Sequence, residues 1–313
     1  MLDDVNLLSQ FGADDYTEII INNIEHLAEP FEAKLLPKSH ASITKVFLVT
    51  DNRFNLGFQW LKVLFSNSAA ATDCLLIETS EVKLAHLDSR SLVIFESNWI
   101  NQDELFRQLK LTSKAKTLVI LLDELDLELW PMLGYLVQIL INFRVLNESD
   151  RLGITKSISW LKAEALKLLP SKSIAHNIAK QLAVMLVGKS ILFIPSQKTI
   201  VAAQTFKYFL GHNSHNITFM EPLINLVTDD LAWTAQPVER PYGVVDLVSA
   251  IDDPIYNKYL KLKNRRLSGL MPAGQLILIK GDTDVEVMIY GYVLAAFCSV
   301  YLAVLNKQPL PKK

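Results

Sequence analysis

The sequence predicts an α/β protein built from two tandem three-layer αβα domains, each with a parallel, flavodoxin-like sheet. Short apolar runs typical of buried strands alternate with helical patterns, which is the arrangement of βαβ units. The alternation starts again after a polar cluster at residues 147–150, which we interpret as a linker. The chain has 313 residues, 50% of them hydrophobic, and is therefore long enough for two cores. We place the domains at residues 1–150 and 151–313.

The composition argues against several classes of partner. The 31 basic and 33 acidic residues give a net charge of −2, so the charge balance does not favour nucleic acid or an anionic membrane surface. Cys74 and Cys298 lie far apart in apolar surroundings, which is typical of free thiols in a reducing cytosol. The acidic start, MLDDVNLL, does not have the pattern of a signal peptide. We expect a cytoplasmic protein.

The first half of the chain begins with a helical segment in which Asp14 and Asp15 cap a periodic stretch that ends before Pro30. Strands and helices then alternate. The predicted strands are 45–50, 73–78, 92–95 and 117–122, and the predicted helices are 16–27, 55–65 and 131–144.

The second half repeats the alternation. Its predicted strands are 190–194, 244–251 and 275–280, and its predicted helices are 157–169, 177–186, 200–210, 254–266 and 287–305. The helix at 254–266 follows a capping Asp-Asp-Pro and is basic. We interpret it as a solvated face over a packed stripe of Ile255, Tyr259 and Leu262. It has too few aromatic residues for a nucleic-acid platform.

The uncharged segment 287–305 is long enough to cross a bilayer. Gly291, Cys298, Ser299 and three tyrosines are spread along it, whereas a membrane span keeps its tyrosines at the ends. A helix that is apolar all round also suits a large soluble core or a subunit interface. We therefore expect a buried helix and no membrane partner; the alternative is a membrane anchor.

The turn after the strand at 92–95 is the first candidate ligand site. Asn101 and Glu104 have the spacing of a helix capping box. A turn from a parallel strand into a helix holds anions through backbone N–H groups and the helix N-terminus. Trp99 and Ile100 are bulky for that purpose, and the turn is also acidic. The residues thus leave two interpretations open, an ordinary capped helix and a phosphate site.

This turn resembles the signature turn of the sugar isomerase (SIS) domain in bacterial and archaeal bifunctional phosphoglucose/phosphomannose isomerases, which reads roughly LVIxxSxSGNTEETL. The residues that keep the pattern are Leu92, Val93, Ile94, Ser97, Asn101, Glu104 and Leu105. In the family, a Ser, a Gly and a Thr of this turn bind the phosphate. Trp99, Ile100 and Gln102 replace them here.

The turn after the first strand stands where the family has the glycine-rich loop GMGGSAIGG. Residues 50–57 keep only Gly57 of those glycines. Thr50 and Arg53 are the candidate ligand contacts in this turn. The Arg53 guanidinium has the geometry for an anion, although a lone Arg beside Asp51 is also typical of a surface ion pair.

The second half also resembles the family. Residues 177–186 are similar to the NPAKxLAxxL helix that opens the second SIS domain, and residues 297–305 keep the order Ser, Tyr, Leu, Ala, Leu of its last helix. Residues 220–226, MEPLINL, are similar to the motif PExxHNE, in which Glu is the base. Glu221 and Asn225 are in register with it, whereas Ile224 replaces the His. The alternative for Glu221 is a simple helix-terminal carboxylate beside Pro222.

The resemblance implies isomerisation of glucose 6-phosphate or mannose 6-phosphate to fructose 6-phosphate, without a cofactor, in a homodimer whose sites are completed across subunits. It implies Glu221 as the catalytic base. The implied phosphate and sugar contacts are Thr50, Arg53, Ser97, Asn101, Gln102 and Asn225. Because the phosphate loops are altered, the alternative is a catalytically inactive relative that acts as a sugar-phosphate sensor or structural partner.

No metal site is predicted. His212 and His215 are three residues apart, but no acidic or Cys partner lies at ligand spacing, and a polar loop explains both.

Overall fold

The structure is a computed structural model, and it describes residues 1–27, 43–50, 57, 59–61, 63, 73–78, 87–96, 116–120, 129–228, 242–269 and 272–310. The chain folds into two compact units, each around one parallel sheet. Asn23–Ile158 form the first unit, and Met1–Asn22 with Ser159–Lys313 form the second. The mixed α/β class with parallel sheets was predicted from the sequence and is confirmed.

The first unit contains a four-stranded sheet in the order β2-β1-β3-β4, with every pair parallel. Its strands are β1 Lys45–Thr50, β2 Asp73–Glu78, β3 Ser91–Glu96 and β4 Lys116–Ile120. All four were predicted, because each is a short apolar run without helical periodicity. A long apolar helix, α3 Leu129–Asn142, follows. The described part of the predicted helix 55–65 is helical at residues 57, 59–61 and 63.

The second sheet has the same order, β6-β5-β7-β8, and is also parallel throughout. Its strands are β5 Ser190–Pro195, β6 Thr218–Met220, β7 Tyr242–Ser249 and β8 Gln275–Ile279. The helices of this unit and its boundary are α1 Val5–Gln10, α2 Ala13–His26, α4 Glu148–Ala165, α5 Ile178–Leu186, α6 Ile200–Ser214, α7 Leu223–Thr228, α8 Pro254–Arg266 and α9 Asp284–Leu305. The strand β6 was not predicted, because three residues are too few to show a period.

The predicted linker at residues 147–150 is not a loop in the structure. Glu148 begins α4, so the polar cluster supplies the first turn of a helix. Polar and acidic residues are common both in loops and at helix N-termini, which is why the pattern was ambiguous.

The N-terminal helices, which we had assigned to the first domain, pack in the second unit. Lys180 is fully buried, and its Nζ donates to the carbonyl oxygens of Leu2, Pro170 and Lys172 at 2.6, 2.8 and 2.7 Å. Asp3 accepts a further hydrogen bond from the backbone N–H of Ile174 at 2.8 Å. Burial lowers the pKa of Lys180, and the nearby Asp3 carboxylate opposes this change. Lys180 of α5 thus holds the N-terminal residues Leu2 and Asp3 against the second unit.

The helix α9 lies in the core of the second unit. It is the one described helix long and apolar enough to span a membrane, and 94% of its apolar window is buried. Its polar groups find partners inside the unit: Tyr301 donates to the carbonyl oxygen of Leu168, and Ser299 accepts from Asn213 at 2.8 Å. Burial also raises the pKa of the Cys298 thiol. The helix is therefore enclosed by its own unit, and its burial requires neither a membrane nor a second subunit.

The predicted apolar stripe of α8 is wrong at two of its three positions, whereas the third residue, Tyr259, packs against the buried cluster as predicted. Ile255 and Leu262 are 48% and 40% exposed, whereas Tyr256 and Lys263 are buried against the sheet. The cause is Asp246 on β7, whose carboxylate binds the Lys263 ammonium and turns that side of α8 inward.

Candidate functional site

The candidate site is set by sheet topology. In each sheet the chain begins at an inner strand (β1 or β5), adds one strand beside it (β2 or β6), and then crosses over to add the remaining two strands on the opposite side. The direction of winding therefore reverses between β1 and β3 and between β5 and β7. Ligands of open parallel sheets bind at the carboxyl ends of the strands at such a reversal. The residues following β1, β3, β5 and β7 are therefore the first to consider.

In the first sheet, the predicted phosphate contacts follow the two strands at the reversal. Thr50 is the last residue of β1, and the register pairs Val49 with Phe95 near the end of β3. The segment that carries Arg53 follows β1, and the segment that carries Ser97 follows β3. Both segments therefore begin at the carboxyl ends of neighbouring strands. Arg53, Ser97, Asn101 and Gln102 lie outside the described residues, as does the side chain of Thr50, so their roles stay predictions.

The proposed base lies at the carboxyl end of β6. The Glu221 N–H donates to the Phe193 carbonyl oxygen of β5 at 3.0 Å, which continues the strand pairing by one residue. Asn225, one helical turn further along, donates from Nδ2 to Glu221 Oε1 at 2.6 Å. The structure therefore brings together the two predicted residues of this segment. Because Glu221 is partly exposed and Asn225 is exposed, the pair remains accessible to solvent.

The position of Glu221 depends on how α7 packs. Leu223 and Leu226 are buried in a cluster with Leu192 and Ile194 of β5, which fixes the helix against the sheet. Leu226 replaces the second Glu of the resembled motif, and its burial explains why a hydrophobic residue suits this position. Ile224, which replaces the His, is exposed.

The loop after β5 contains two buried hydroxyl groups that sequence reasoning missed. Thr199 Oγ1 donates to the Leu247 carbonyl oxygen of β7 at 2.8 Å and accepts from the Ser196 N–H at 2.9 Å. The Ser196 hydroxyl oxygen lies 3.1 Å from Thr199 Oγ1. These bonds tie the loop to β7. The available signal was a Ser and a Thr three residues apart between a strand and a helix, a pattern that forms local side-chain to backbone bonds.

An ion pair joins this loop to the first turn of α9. Lys198 Nζ lies 2.9 Å from Asp284 Oδ1 and 3.0 Å from Oδ2. Thr283 caps the helix by accepting from the Glu286 N–H, and Glu286 accepts from the Asp282 N–H, which together form a capping box. The Lys198 charge and part of the α9 N-terminus are thus already neutralised by the chain's own acidic groups.

A second charged cluster lies at the end of β8. Glu164 accepts from Lys280 at 2.7 Å and also binds Lys167. Burial raises the pKa of Glu164, but hydrogen bonds from Lys167 and Lys280 outweigh it and hold the pKa below its usual range. The Lys280 ammonium also lies 5.6 Å from the ring centroid of Tyr290 in α9.

The described residues contain no group of three or more His, Cys, Asp or Glu side chains that could hold a metal. His212 lies in α6, which extends to Ser214 rather than ending at residue 210 as predicted. Its ring stacks on Tyr208 with centroids 4.5 Å apart, and His215 takes the left-handed conformation after the helix.

Comparisons with known proteins agree with this fold. Residues 175–309 match the family model for the bacterial phospho-glucose isomerase C-terminal SIS domain. A search of curated proteins gave no match.

Solved structures match almost the whole chain. The C-terminal domain of glucosamine-fructose-6-phosphate aminotransferase from Francisella tularensis has a TM-score of 0.66 at 12% identity, over 95% of this chain and 98% of that one. A glucose-6-phosphate isomerase like protein from Thermus thermophilus gives 0.55 at 14%, over 95% and 96%. Tagatose-6-phosphate ketose/aldose isomerase from Escherichia coli gives 0.54 at 14%, over 96% and 90%.

The sequence identities to the solved structures are low, so these matches establish the fold alone. The family model matches residues 175–309 of the chain and is the evidence from sequence. Residues 175–309 therefore match the C-terminal SIS domain of bacterial phospho-glucose isomerases, and the chain as a whole shares the fold of the solved structures named above.

Proposed function

We propose that the protein binds a sugar phosphate at the carboxyl ends of its strands and isomerises glucose 6-phosphate or mannose 6-phosphate to fructose 6-phosphate. The observation that carries this proposal is the hydrogen bond from Asn225 to Glu221 at the carboxyl end of β6. The SIS family match and the fold shared with phosphosugar isomerases support the substrate class.

Aldose–ketose isomerisation needs one positioned base that takes a proton next to a carbonyl and returns it to the adjacent carbon. Glu221 is that base in our proposal: it removes the C2 proton of the aldose as O1 gains a proton, which gives a cis-enediol. It then returns the proton to C1 as O2 loses its proton, so the net change is an isomerisation. Asn225 binds Oε1, and among the described residues no group binds Oε2, which we assign to the substrate. Orientation of the carboxylate by a fixed donor lowers the cost of reaching the reactive geometry.

The proposal assigns the phosphate and the remaining sugar contacts to Thr50, Arg53, Ser97, Asn101 and Gln102. These residues follow β1 and β3, the strands at which the winding of the first sheet reverses. The reaction moves protons within the substrate, so we expect no cofactor. We also expect the protein to be cytoplasmic.

A second candidate function is sugar-phosphate binding without catalysis. It is favoured by the loops of the second sheet, where Ser196 and Thr199 bind each other and Lys198 is held by Asp284. These side chains stabilise the chain's own loops, as expected for a scaffold that recognises a ligand without reacting with it.

The two candidates differ in turnover. Purified protein is incubated with fructose 6-phosphate, aldose phosphate is measured, and binding of the same ligand is measured by calorimetry. Isomerisation that falls by about 100-fold or more in Glu221→Gln, with binding retained, supports the enzyme, since general-base catalysis contributes about 10²–10⁴-fold. Binding without turnover supports the second candidate. Turnover that is unchanged in Glu221→Gln rejects Glu221 as the base, and lack of both binding and turnover rejects the whole proposal.

A matched control is Glu286→Gln. Glu286 is also a carboxylate beside a helix start at the carboxyl edge of the second sheet, but it serves the capping box of α9. We expect this variant to keep the turnover of the wild type.

A further inference from the structure

A cavity of 610 Å³ lies between the N-terminal helices and the residues that follow α9, all within the second unit. Its walls are the turn between α1 and α2, the first half of α2 and the tail segment 307–310. This volume is within the range of small-molecule sites, about 300–1,000 Å³. The cavity is therefore large enough to hold a metabolite.

The cavity is at the amino edge of the second sheet. Asn306, the residue after α9, donates from Nδ2 to the Ser214 carbonyl oxygen at 3.0 Å and to Asn216 Oδ1 at 2.8 Å. Asn216 in turn donates to the carbonyl oxygen of Lys189, the residue before β5. Glu221 lies at the opposite edge, at the carboxyl end of β6. The cavity is therefore separate from the site proposed above.

Hydrogen bonds fix both walls of the cavity. The Tyr16 hydroxyl accepts from Asn213 Nδ2 at 3.1 Å, and Asn213 also donates to Ser299 of α9 at 2.8 Å. The tail begins with Lys307 in the left-handed conformation, with φ 57°, and the Gln308 N–H then donates back to α9 at 2.9 Å. Fixed walls favour binding, because less conformational freedom is lost when a ligand enters.

The cavity has an apolar floor and a charged rim. The side chains of the floor are apolar or aromatic and mostly buried: Phe11, Tyr16, Ile19 and Leu310. Asp15 and Lys307 line the same cavity and are exposed, which places them at its rim. Within the described part of the chain, neither of these two side chains forms an ion pair or a hydrogen bond. One negative and one positive group are therefore available to a ligand.

We propose that this cavity binds a zwitterionic small molecule with an apolar body, of the chemical class of an aromatic α-amino acid. The Lys307 ammonium binds the carboxylate of the ligand, Asp15 binds its ammonium group, and the ring of the ligand packs on Phe11 and Tyr16. A mostly apolar lining with a few polar groups that fix orientation is typical of small-molecule sites.

A sugar phosphate does not suit this cavity. Its hydroxyl groups would lose water against the apolar floor, and the Asp15 carboxylate would repel its phosphate. The ligand of the cavity therefore differs in chemistry from the ligand of the site at the carboxyl edge.

The test is calorimetric titration of the full chain with L-phenylalanine. We expect Asp15→Asn and Lys307→Met each to raise the dissociation constant by about 10-fold or more, since each removes one charged partner of the ligand. The matched controls are Glu18→Gln, an exposed carboxylate three residues further along α2, and Lys189→Met, an exposed lysine at the same edge of the sheet. Neither control residue lines the cavity, and both variants are expected to keep the affinity of the wild type.

Two analogues test the two charges on the wild type. Phenylpropionate lacks the ammonium group and phenethylamine lacks the carboxylate, so each is expected to bind about 10-fold more weakly or worse. Circular dichroism establishes that each variant is folded, and should a variant not fold, the analogue titrations decide the question.

Four results overturn the proposal. They are lack of binding at about 10 mM phenylalanine, an affinity that Asp15→Asn or Lys307→Met leaves unchanged, an equal loss in the control variants, and an analogue that binds as tightly as phenylalanine. Displacement of phenylalanine by fructose 6-phosphate also rejects the cavity as its site, because the two ligands are then competing for one site.

Discussion

The Lys263 ammonium lies 2.5 Å from Asp246 Oδ1, and both side chains are only 2% exposed. The pair joins α8 to β7, one of the two inner strands of the second sheet. Burial raises the pKa of Asp246, and the attraction of Lys263 opposes this effect. Breaking such a pair is costly because it leaves one uncompensated charge in the core. The pair therefore fixes which side of α8 faces the sheet.

We expect Lys263→Met to destabilise the protein by about 3–5 kcal/mol, because Asp246 then remains buried without its partner. Urea denaturation measures the loss. The control is Lys261→Met, two residues away on the exposed side of the same helix, with an expected change within about 0.5 kcal/mol. Equal effects of the two substitutions would contradict the role of the pair.

Replacing both partners separates the ion pair from the shape of the site. In Asp246→Leu/Lys263→Met neither charge remains, and apolar groups of similar size occupy the space. We expect this double variant to be more stable than Lys263→Met by about 2 kcal/mol or more, since apolar replacements of buried pairs are often neutral or stabilising. A double variant no more stable than the single one would show that the cost arises from packing.

Gly274 lies against the same ion pair. A Cβ at this position would be 2.1 Å from Asp246 Oδ2 and 3.2 Å from Lys263 Nζ. We therefore expect Gly274→Ala to destabilise the protein by about 1–3 kcal/mol through overpacking. The control is Gly211→Ala in α6, where a Cβ meets nothing within 4 Å and the substitution should stabilise the helix by about 0.5–1 kcal/mol. Thermal unfolding should shift in opposite directions for these two variants.

Glu164 predicts a pH dependence with a defined sign. Lys167 and Lys280 hold its pKa below the ordinary 4.5, so the folded protein keeps the carboxylate charged where the unfolded chain binds a proton. The resulting stability is present above about pH 4.5 and is lost as the pH falls through the folded pKa. Wild type should therefore exceed Glu164→Gln in unfolding free energy at pH 6, and the difference should narrow at pH 3. A constant difference would contradict the linkage.

Lys180 predicts the stability of the N-terminal segment. In Lys180→Met the carbonyl oxygens of Leu2, Pro170 and Lys172 lose their common donor. An unsatisfied buried acceptor costs about 1–3 kcal/mol. We expect hydrogen exchange of residues 4–10 to accelerate more than that of β7, because the bond to Leu2 fastens the start of the chain. The exposed Lys172→Met should leave exchange of residues 4–10 unchanged, since its carbonyl group is retained.

The sequence alone determined the positions of seven of the eight described strands and the α/β class, because short apolar runs and helical periods are local properties. The resemblance named Glu221 and Asn225 as candidate residues of one segment, whereas the hydrogen bond between them was found only in the structure. The sequence further predicted candidate ligand turns after the first and third strands, and the structure showed that these are the inner strands of the first sheet.

Only the tertiary structure decided which side chains are buried. Lys263 faces the sheet because of Asp246, 17 residues earlier in the chain, and Lys180 is buried because it binds Leu2, 178 residues away. In the same way, α9 is a core helix because its own unit encloses it and binds its hydroxyl groups. Burial results from partners distant in sequence, and a local pattern of hydrophobic and charged residues does not contain that information.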